Sequence, residues 1–325
     1  MKNIAIVCGG DSGEYEISIA SGKVAAKNLD RSKYVPYLIE MKGREWNCVL
    51  EGGTKLPVDK SDFSLLVSGM KIHFDAVFNA IHGTPGEDGK LQGYLDMLDI
   101  PYSSCGVDVS ALSFNKFMFN HFVHDFGFKT ARGFSFLKGE IINKNEIIRE
   151  LGFPMFIKPS SSGSSVGVSK VKSESEFEPA IEKAFHEGNR ILIEEAIVGR
   201  ELCCGLAKRG KELLVFPLTE IIPTNEFFDY EAKYIPGKSQ EITPADIPEN
   251  ISIDIKTLSS FLYRKLDCKG FVRFDYIAAK TDLYFLELNT IPGMTQNSIL
   301  PQQSRDFGLT DKELFTMVID NLFDS

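Results

Sequence analysis

The sequence predicts a mixed protein, with an open parallel α/β unit at the N-terminus followed by α+β units built on antiparallel strands. Three observations carry this reading. Asn3 to Cys8 is an unbroken apolar run that passes through Gly9-Gly10-Asp11-Ser12-Gly13 into the helical spacing of Ile17, Ala20, Val24 and Ala25. Asp75 to Ile81 repeats the pattern, running into the glycine-rich His82 to Gly89 and then Leu91, Tyr94, Leu95 and Leu98. Such runs suit strands buried on both faces, as β-turn-α units build them. The third is Gly270 to Asn289, where apolar and polar residues alternate as in a hairpin with one wet face.

At 325 residues the chain has room for two or three domains. A net charge of −9 argues against nucleic acid or an anionic membrane as a general partner, since binding phosphate needs a basic face. The six cysteines have no C-x-x-C spacing, so neither a zinc site nor a disulfide framework is expected. The first strand begins within three residues of Met1, leaving no space for a signal peptide. No apolar run approaches the roughly 18 residues of a membrane span. A soluble, cytoplasmic protein with reduced thiols is the expectation.

The turn after the first strand, G-G-x-x-G, departs from the dinucleotide fingerprint G-x-G-x-x-G. That weakens a dehydrogenase reading, although Glu40 ends a second strand where a ribose-binding acid would sit. Glu14 at the helix start suits a substrate ammonium, or else complements the helix dipole. Residues 41–75 read as short strands and turns. The loop from His82 lies at a strand's C-terminal end, where open α/β sheets place ligands, making His82 and Glu87 site candidates. Alternatively, Glu87 and Asp88 only begin the next helix.

Near Pro101 to Gly106 the chain leaves this first domain. A single helix from Ser110 to Phe126 is expected next, carrying Lys116, then a strand from Ala131 to Phe136. His121 and His124 on that helix have no acidic or cysteine partner and read as face residues. Pro154 to Lys158 is a strand ending in lysine, Ser160 to Ser165 a Gly/Ser loop, and another strand starts at Val166. Small residues there let N–H groups and hydroxyls close over phosphates, with Lys158 supplying charge. It is not a Walker A loop, because G-K-[ST] is missing and a strand follows. Ile191 to Ile197 is a strand with Glu194 and Glu195 at its end, able to accept from an adenine amino group or ribose hydroxyls. Thr224 to Lys238 reads as a long irregular loop of the kind that covers active sites.

In the C-terminal hairpin Val272, Phe274 and Tyr276 alternate with Arg273 and Asp275, and Leu286 and Leu288 with Glu287 and Asn289. A turn centred on Thr281 sets Asp275 opposite Glu287 and Arg273 opposite Asn289. Opposed like charges are destabilising unless a cation lies between them, and oxygen-only ligands favour Mg²⁺ or Mn²⁺ over Zn²⁺. A solvated outer face is the bland alternative.

Together these segments resemble the D-alanine–D-alanine ligase family of ATP-grasp enzymes. The matching pieces are GGxSxExEIS (Gly9 to Ser18), HGTPGEDGKLQG (His82 to Gly93), KPSSSGSSVGVSKV from Lys158, DYEAKY (Asp229 to Tyr234), GFVRFDY from Gly270, and LELNTIPGMTQNSILP from Leu286. They span nearly the whole chain in the family's order. The resemblance implies an ATP-grasp fold divided into an N-terminal α/β domain (1–105), a central subdomain with the glycine-rich lid (106–199) and a C-terminal subdomain (200–325). It also implies ATP-dependent ligation of two D-alanine molecules through an acyl phosphate, for peptidoglycan synthesis, by a cytoplasmic homodimer. Another ATP-grasp carboxylate–amine ligase, or one using D-serine or D-lactate, is the alternative.

Site roles follow from the same resemblance. Lys116, Lys158, Ser164 and Ser165 would contact the ATP phosphates, and Glu194, Glu195, Ala196, Ile197 and Glu201 would hold adenine and ribose. Asp275, Glu287 and Asn289 would bind two Mg²⁺ or Mn²⁺. Glu14, with Ser164 and Tyr234, would anchor the first D-alanine near His82, while Arg273 and the Gly293 N–H would hold the oxyanion. Ser298 and the Ile299 N–H would take the second D-alanine's carboxylate, and Lys233 would reach the γ-phosphate. Departures from the family pattern, Ser162, Ala196 and Phe228, remove no charge or metal ligand. Tyr234 favours a dipeptide over an ester product. A non-catalytic relative should have lost some of the lysines or metal ligands; all are present.

Overall fold

The computed structural model describes residues 1–163, 165–223 and 239–324. The first sheet comprises β1 (Lys2–Gly9), β2 (Tyr34–Lys42), β3 (Glu45–Val49), β4 (Lys55–Asp59), β5 (Ser64–Val67), β6 (Met70–His73) and β7 (Ala76–Asn79), in the order β6-β5-β4-β3-β2-β1-β7. Only β2, β1 and β7 are parallel; the remaining strands extend the sheet as an antiparallel meander. The apolar run of β1 is explained directly. Ile4, Ile6 and Cys8 enter one core while Ala5 and Val7 enter the core on the opposite face.

Helix α1 (Tyr15–Asn28) forms where its spacing predicts, but it buries Ser18, Ser21, Gly22 and Ala25 rather than Ile17, Ala20 and Val24. Ser18 explains the shift: its hydroxyl donates to the Ala80 carbonyl at 2.7 Å and accepts the Gly9 N–H at 2.7 Å. Small polar residues thus join α1 to the ends of two strands. Glu40 is held by the Tyr15 hydroxyl and by Lys55, which takes it out of any ribose-binding role.

After α2 (Lys90–Asp96), the expected single helix is two, α3 (Val107–Phe114) and α4 (Lys116–His124), broken at Asn115. Asn115 Oδ1 accepts the Met118 N–H at 3.2 Å and the Ser160 hydroxyl at 2.8 Å. An asparagine with extended backbone is a favoured N-cap, and here it places Lys116 at the first position of a new helix.

The second sheet has the order β10-β9-β11-β8, from β8 (Gly133–Leu137), β9 (Met155–Pro159), β10 (Ser169–Val171) and β11 (Arg190–Glu195). It packs on α5 (Lys144–Leu151) and α6 (Phe177–Glu187). Strand β10 begins at Ser169, not Val166, because the Val166 and Val168 N–H groups turn back to Gly163 and Ser165.

The third sheet is six-stranded: β15-β14-β12-β16-β17 with β13 on β12. Its members are β12 (Arg200–Arg209), β13 (Glu212–Val215), β14 (Thr219–Pro223), β15 (Ser239–Ile242), β16 (Val272–Ala278) and β17 (Leu283–Asn289). Helix α7 (Glu249–Lys265) covers one face, and α8 (Ile299–Asp306) and α9 (Asp311–Asp320) close the chain. The first and third sheets share a core: Phe78 lies 5.6 Å from Phe315 and 6.3 Å from Phe271, ring centre to ring centre. Each such buried ring contributes roughly 1.5–3 kcal/mol, so the two sheets are fixed against one another. Among the described residues no helix is long and apolar enough to cross a membrane.

Candidate active site

The three sheets meet around a cleft of about 1240 Å³, larger than the roughly 300–1,000 Å³ of a site for one small ligand. Its floor is the β16–β17 hairpin. The register is the one period-two reasoning gives, with Arg273 opposite Asn289 and Asp275 opposite Glu287. One correction applies. A bulge follows, so that Tyr276 pairs with Phe285 and Leu286 is the extra residue. Phe285 therefore takes the core place expected of Leu286, and Leu286 lines the cleft instead.

On the polar face, Arg273 donates to both oxygens of Asp275 at 2.8 Å, and this carboxylate is almost fully buried. The Asn289 amide donates to Asp275 at 2.9 Å and to Glu287 at 3.4 Å. Lys116 lies 3.3 Å from Glu287 and donates to the Ser162 carbonyl at 3.0 Å. The two carboxylates are thus balanced by a guanidinium, an ammonium and an amide, all within one cluster. Among the described residues no group of three His, Cys, Asp or Glu side chains is suited to a metal. This cluster has two carboxylates and an amide whose oxygen is exposed by turning the group over, an all-oxygen set that fits Mg²⁺ or Mn²⁺.

The roof comes from the second sheet. Lys158 on β9 pairs with Glu194 on β11, and Asn120 donates to the other Glu194 oxygen at 2.9 Å. Asn120 was not anticipated, although it lies four residues after Lys116 and therefore on the same helix face. Glu195 points the other way and is held by Arg132 through its side chain and backbone N–H. At the edge, the Ala196 N–H is taken by the Pro154 carbonyl at 3.2 Å. Ala196 and Ile197 both line the cleft at this edge. Glu201, on β12, is directly opposite Ile221 and also lines it.

The loops that follow β1 and β7 supply Glu14, His82 and Glu87. Glu14 is buried, and a Cβ on Gly163 would meet its Oε2 at 2.2 Å. Only glycine lets the lid approach this carboxylate so closely. His82 Nδ1 donates to the Ile291 carbonyl at 2.9 Å and Nε2 accepts the Ser21 hydroxyl at 3.1 Å. Burial pushes its pKa down, against the pull of Glu14, so the ring is a neutral tie between the sheets. Glu87 accepts the Gly83 N–H at 2.7 Å and the Ile291 N–H at 3.3 Å. Burial and then the nearby Glu14 charge push its pKa up to about 8.

The Ile291 loop leads to Gly293 and α8. A Cβ on Gly293 would meet Ser298 Oγ at 2.9 Å, so loop and helix start are in close contact. Ser298 is the N-cap residue, but its hydroxyl accepts the Thr295 N–H at 3.0 Å instead of capping α8. The Ile299 N–H at the start of α8 has no intrahelical acceptor, and Ser298 and Ile299 both line the cleft. Ser164, Lys233 and Tyr234 lie outside the described residues.

Two family models match the chain: D-ala D-ala ligase N-terminus over residues 3–105 and D-ala D-ala ligase C-terminus over residues 122–320. The D-alanine–D-alanine ligase of Phocaeicola vulgatus is 47% identical over 323 residues, covering 99% of each chain. The D-alanyl-alanine synthetase A of Vibrio cholerae superposes with a TM-score of 0.88 at 28% identity, over 99% of this chain and 98% of that one. The VanG D-Ala:D-Ser ligase of Enterococcus faecalis superposes at 0.86 with 30% identity, over 99% of each.

Proposed function

This chain belongs to the D-alanine–D-alanine ligase family and joins two D-alanine molecules in an ATP-dependent reaction; from that premise we propose how its residues share the work. A carboxylate is a poor electrophile, so ATP first converts the first D-alanine to an acyl phosphate. The amine of the second then attacks, and phosphate leaves. The product serves peptidoglycan synthesis, as in the family.

In this proposal Glu14 binds the first D-alanine's ammonium, and His82 and Glu87 hold the Ile291 loop in place beside it. Lys116 and Lys158 hold the phosphates under the lid around Ser165, with Ser164 and Lys233 assisting from the family motif. Glu194 and Glu201, with the Ala196 carbonyl and Ile197 N–H, take adenine and ribose. Because Glu195 is turned to Arg132, its part is to orient this strand end. Asp275, Glu287 and Asn289 are the residues that would hold divalent metal, two ions of Mg²⁺ or Mn²⁺ in this reading. When bound, the metal offsets the charge on the transferred phosphoryl group. Arg273 and the Gly293 N–H meet the oxyanion as it forms, where fixed donors act most strongly. Ser298 and the Ile299 N–H receive the acceptor's carboxylate at the start of α8. Tyr234 completes a hydrogen-bonded set with Glu14 and Ser164 that favours an amine acceptor.

The observation that carries the reading is the convergence of Asp275, Glu287 and Asn289 with Lys116 and Arg273 in one cluster. We further propose a cytoplasmic homodimer and a division into units 1–105, 106–199 and 200–325. Phosphate release from ATP with D-alanine, L-alanine, D-serine and D-lactate, singly and in pairs, tests the substrate assignment. D-alanine alone is expected to suffice. Equal turnover with L-alanine, or a requirement for D-serine, contradicts it.

A further inference from the structure

We propose that Glu241 sets acceptor selectivity, placing a carboxylate on the acceptor side of the cleft that favours an ammonium-bearing acceptor over a hydroxy acid. The proposal rests on the ligase reading above.

Register puts Glu241 on the reactive face. Glu241 is opposite Ile221, Ile221 opposite Glu201, and Glu201 opposite Ile277, forming one row across four strands. The adjoining row holds Cys203, Asp275 and Glu287. Opposed residues share a face, so Glu241 looks into the cleft from the same side as the metal cluster. It also accepts the Gln302 side-chain amide at 2.7 Å. Gln302 lies one helical turn from Ser298, to whose carbonyl its N–H donates at 3.1 Å. Glu241 is therefore tied to the helix start assigned to the acceptor's carboxylate.

Its pairing sets it apart from five other acids of the cleft. Glu194, Glu195, Glu220, Asp275 and Glu287 form ion pairs with Lys158, Arg132, Arg200, Arg273 and Lys116. Among the described residues Glu241 has no ion pair. Its partner is an amide, which fixes the direction of the carboxylate without neutralising it. Burial raises its pKa, while the Gln302 hydrogen bond and the Arg273 charge pull the other way. An acceptor seated by its carboxylate at Ser298 presents its α-substituent within the field of this group. D-Alanine brings a positive charge there; D-lactate brings a hydroxyl and remains a net anion.

The test is a competition in which D-alanine is donor and D-alanine, D-serine and D-lactate are offered together as acceptors, with products resolved by mass. Relative to wild type, Glu241→Gln is expected to lower the alanyl-alanine to alanyl-lactate ratio about tenfold, the order of one charge–charge interaction lost in a partly hydrated site. The alanyl-alanine to alanyl-serine ratio should hold, because both acceptors carry the ammonium. Glu241→Asp should restore the first ratio, and Glu241→Ala should match Glu241→Gln. A lactate ratio no lower than wild type, or an equal change in the serine ratio, overturns the proposal and marks Glu241 as a prop for α8. Wild-type protein that makes no alanyl-alanine instead refutes the ligase reading, which is a separate outcome.

Discussion

Asp275 carries two duties that pull on one side chain. It is a proposed metal ligand, and it is also the buried partner of Arg273, with about 3% of its side chain exposed. Breaking a buried pair leaves a charge uncompensated. Asp275→Asn is therefore expected to cut turnover by at least about a hundredfold while also lowering stability by about 3–5 kcal/mol. Steady-state rates and chemical denaturation of the same sample check both; near-normal magnesium-dependent turnover contradicts the ligand role. Glu87 makes a prediction of the opposite electrostatic kind. Its folded pKa of about 8 exceeds the unfolded value near 4.5, so the fold favours the protonated form. The stability this form provides is complete below about pH 4.5 and declines by up to about 1.4 kcal/mol per unit until the pH passes about 8. Glu87→Gln should flatten that decline. Denaturation curves of wild type and variant at pH 6 and pH 8 measure the difference, and parallel losses contradict it.

At the scale of elements, the break at Asn115 positions Lys116 and ties α4 to the lid through Ser160. Asn115→Ala is expected to cost about 1–2 kcal/mol, a typical cap loss, and to raise the KM for ATP severalfold with a smaller change in kcat. An unchanged KM in a destabilised variant would confine Asn115 to a structural part. This element also marks where sequence reading stops. The apolar spacing runs on from Leu112 through Phe119 to Val123 without glycine or proline, and the N3 position is Met118 rather than Glu or Gln, so Asn115 itself is the one local sign of a break. The hairpin was legible because alternation by twos fixes both faces once the turn is placed. Its bulge was not, since an extra residue reveals itself only through its partners across the strand. The spacing of Ile17, Ala20, Val24 and Ala25 gives the helix α1 but not its buried face, since Ser18 is internal through hydrogen bonds to Gly9 and Ala80, which lie elsewhere in the sequence. Glu194 and Lys158 were identified separately, but that they neutralise each other here depends on the β9–β11 pairing.

At the scale of the whole molecule, the cleft is lined by the second and third sheets and by the loops after β1 and β7 of the first, and the first and third sheets share a core through Phe78, Phe271 and Phe315. In the proposed binding mode a nucleotide bridges the second sheet to that rigid pair. A non-hydrolysable ATP analogue with Mg²⁺ at about 100 times its Kd is thus expected to stabilise the protein by about 2.7 kcal/mol. The gain should vanish with EDTA, and a shift that survives chelation contradicts the metal-dependent grip. The reaction itself is tested most directly with D-alanine labelled by oxygen-18 in its carboxylate. Transfer of the γ-phosphoryl group to that carboxylate predicts that the released phosphate carries a labelled oxygen, alongside ADP and D-alanyl-D-alanine. Unlabelled phosphate, or label found in AMP with pyrophosphate released, would contradict the acyl-phosphate route.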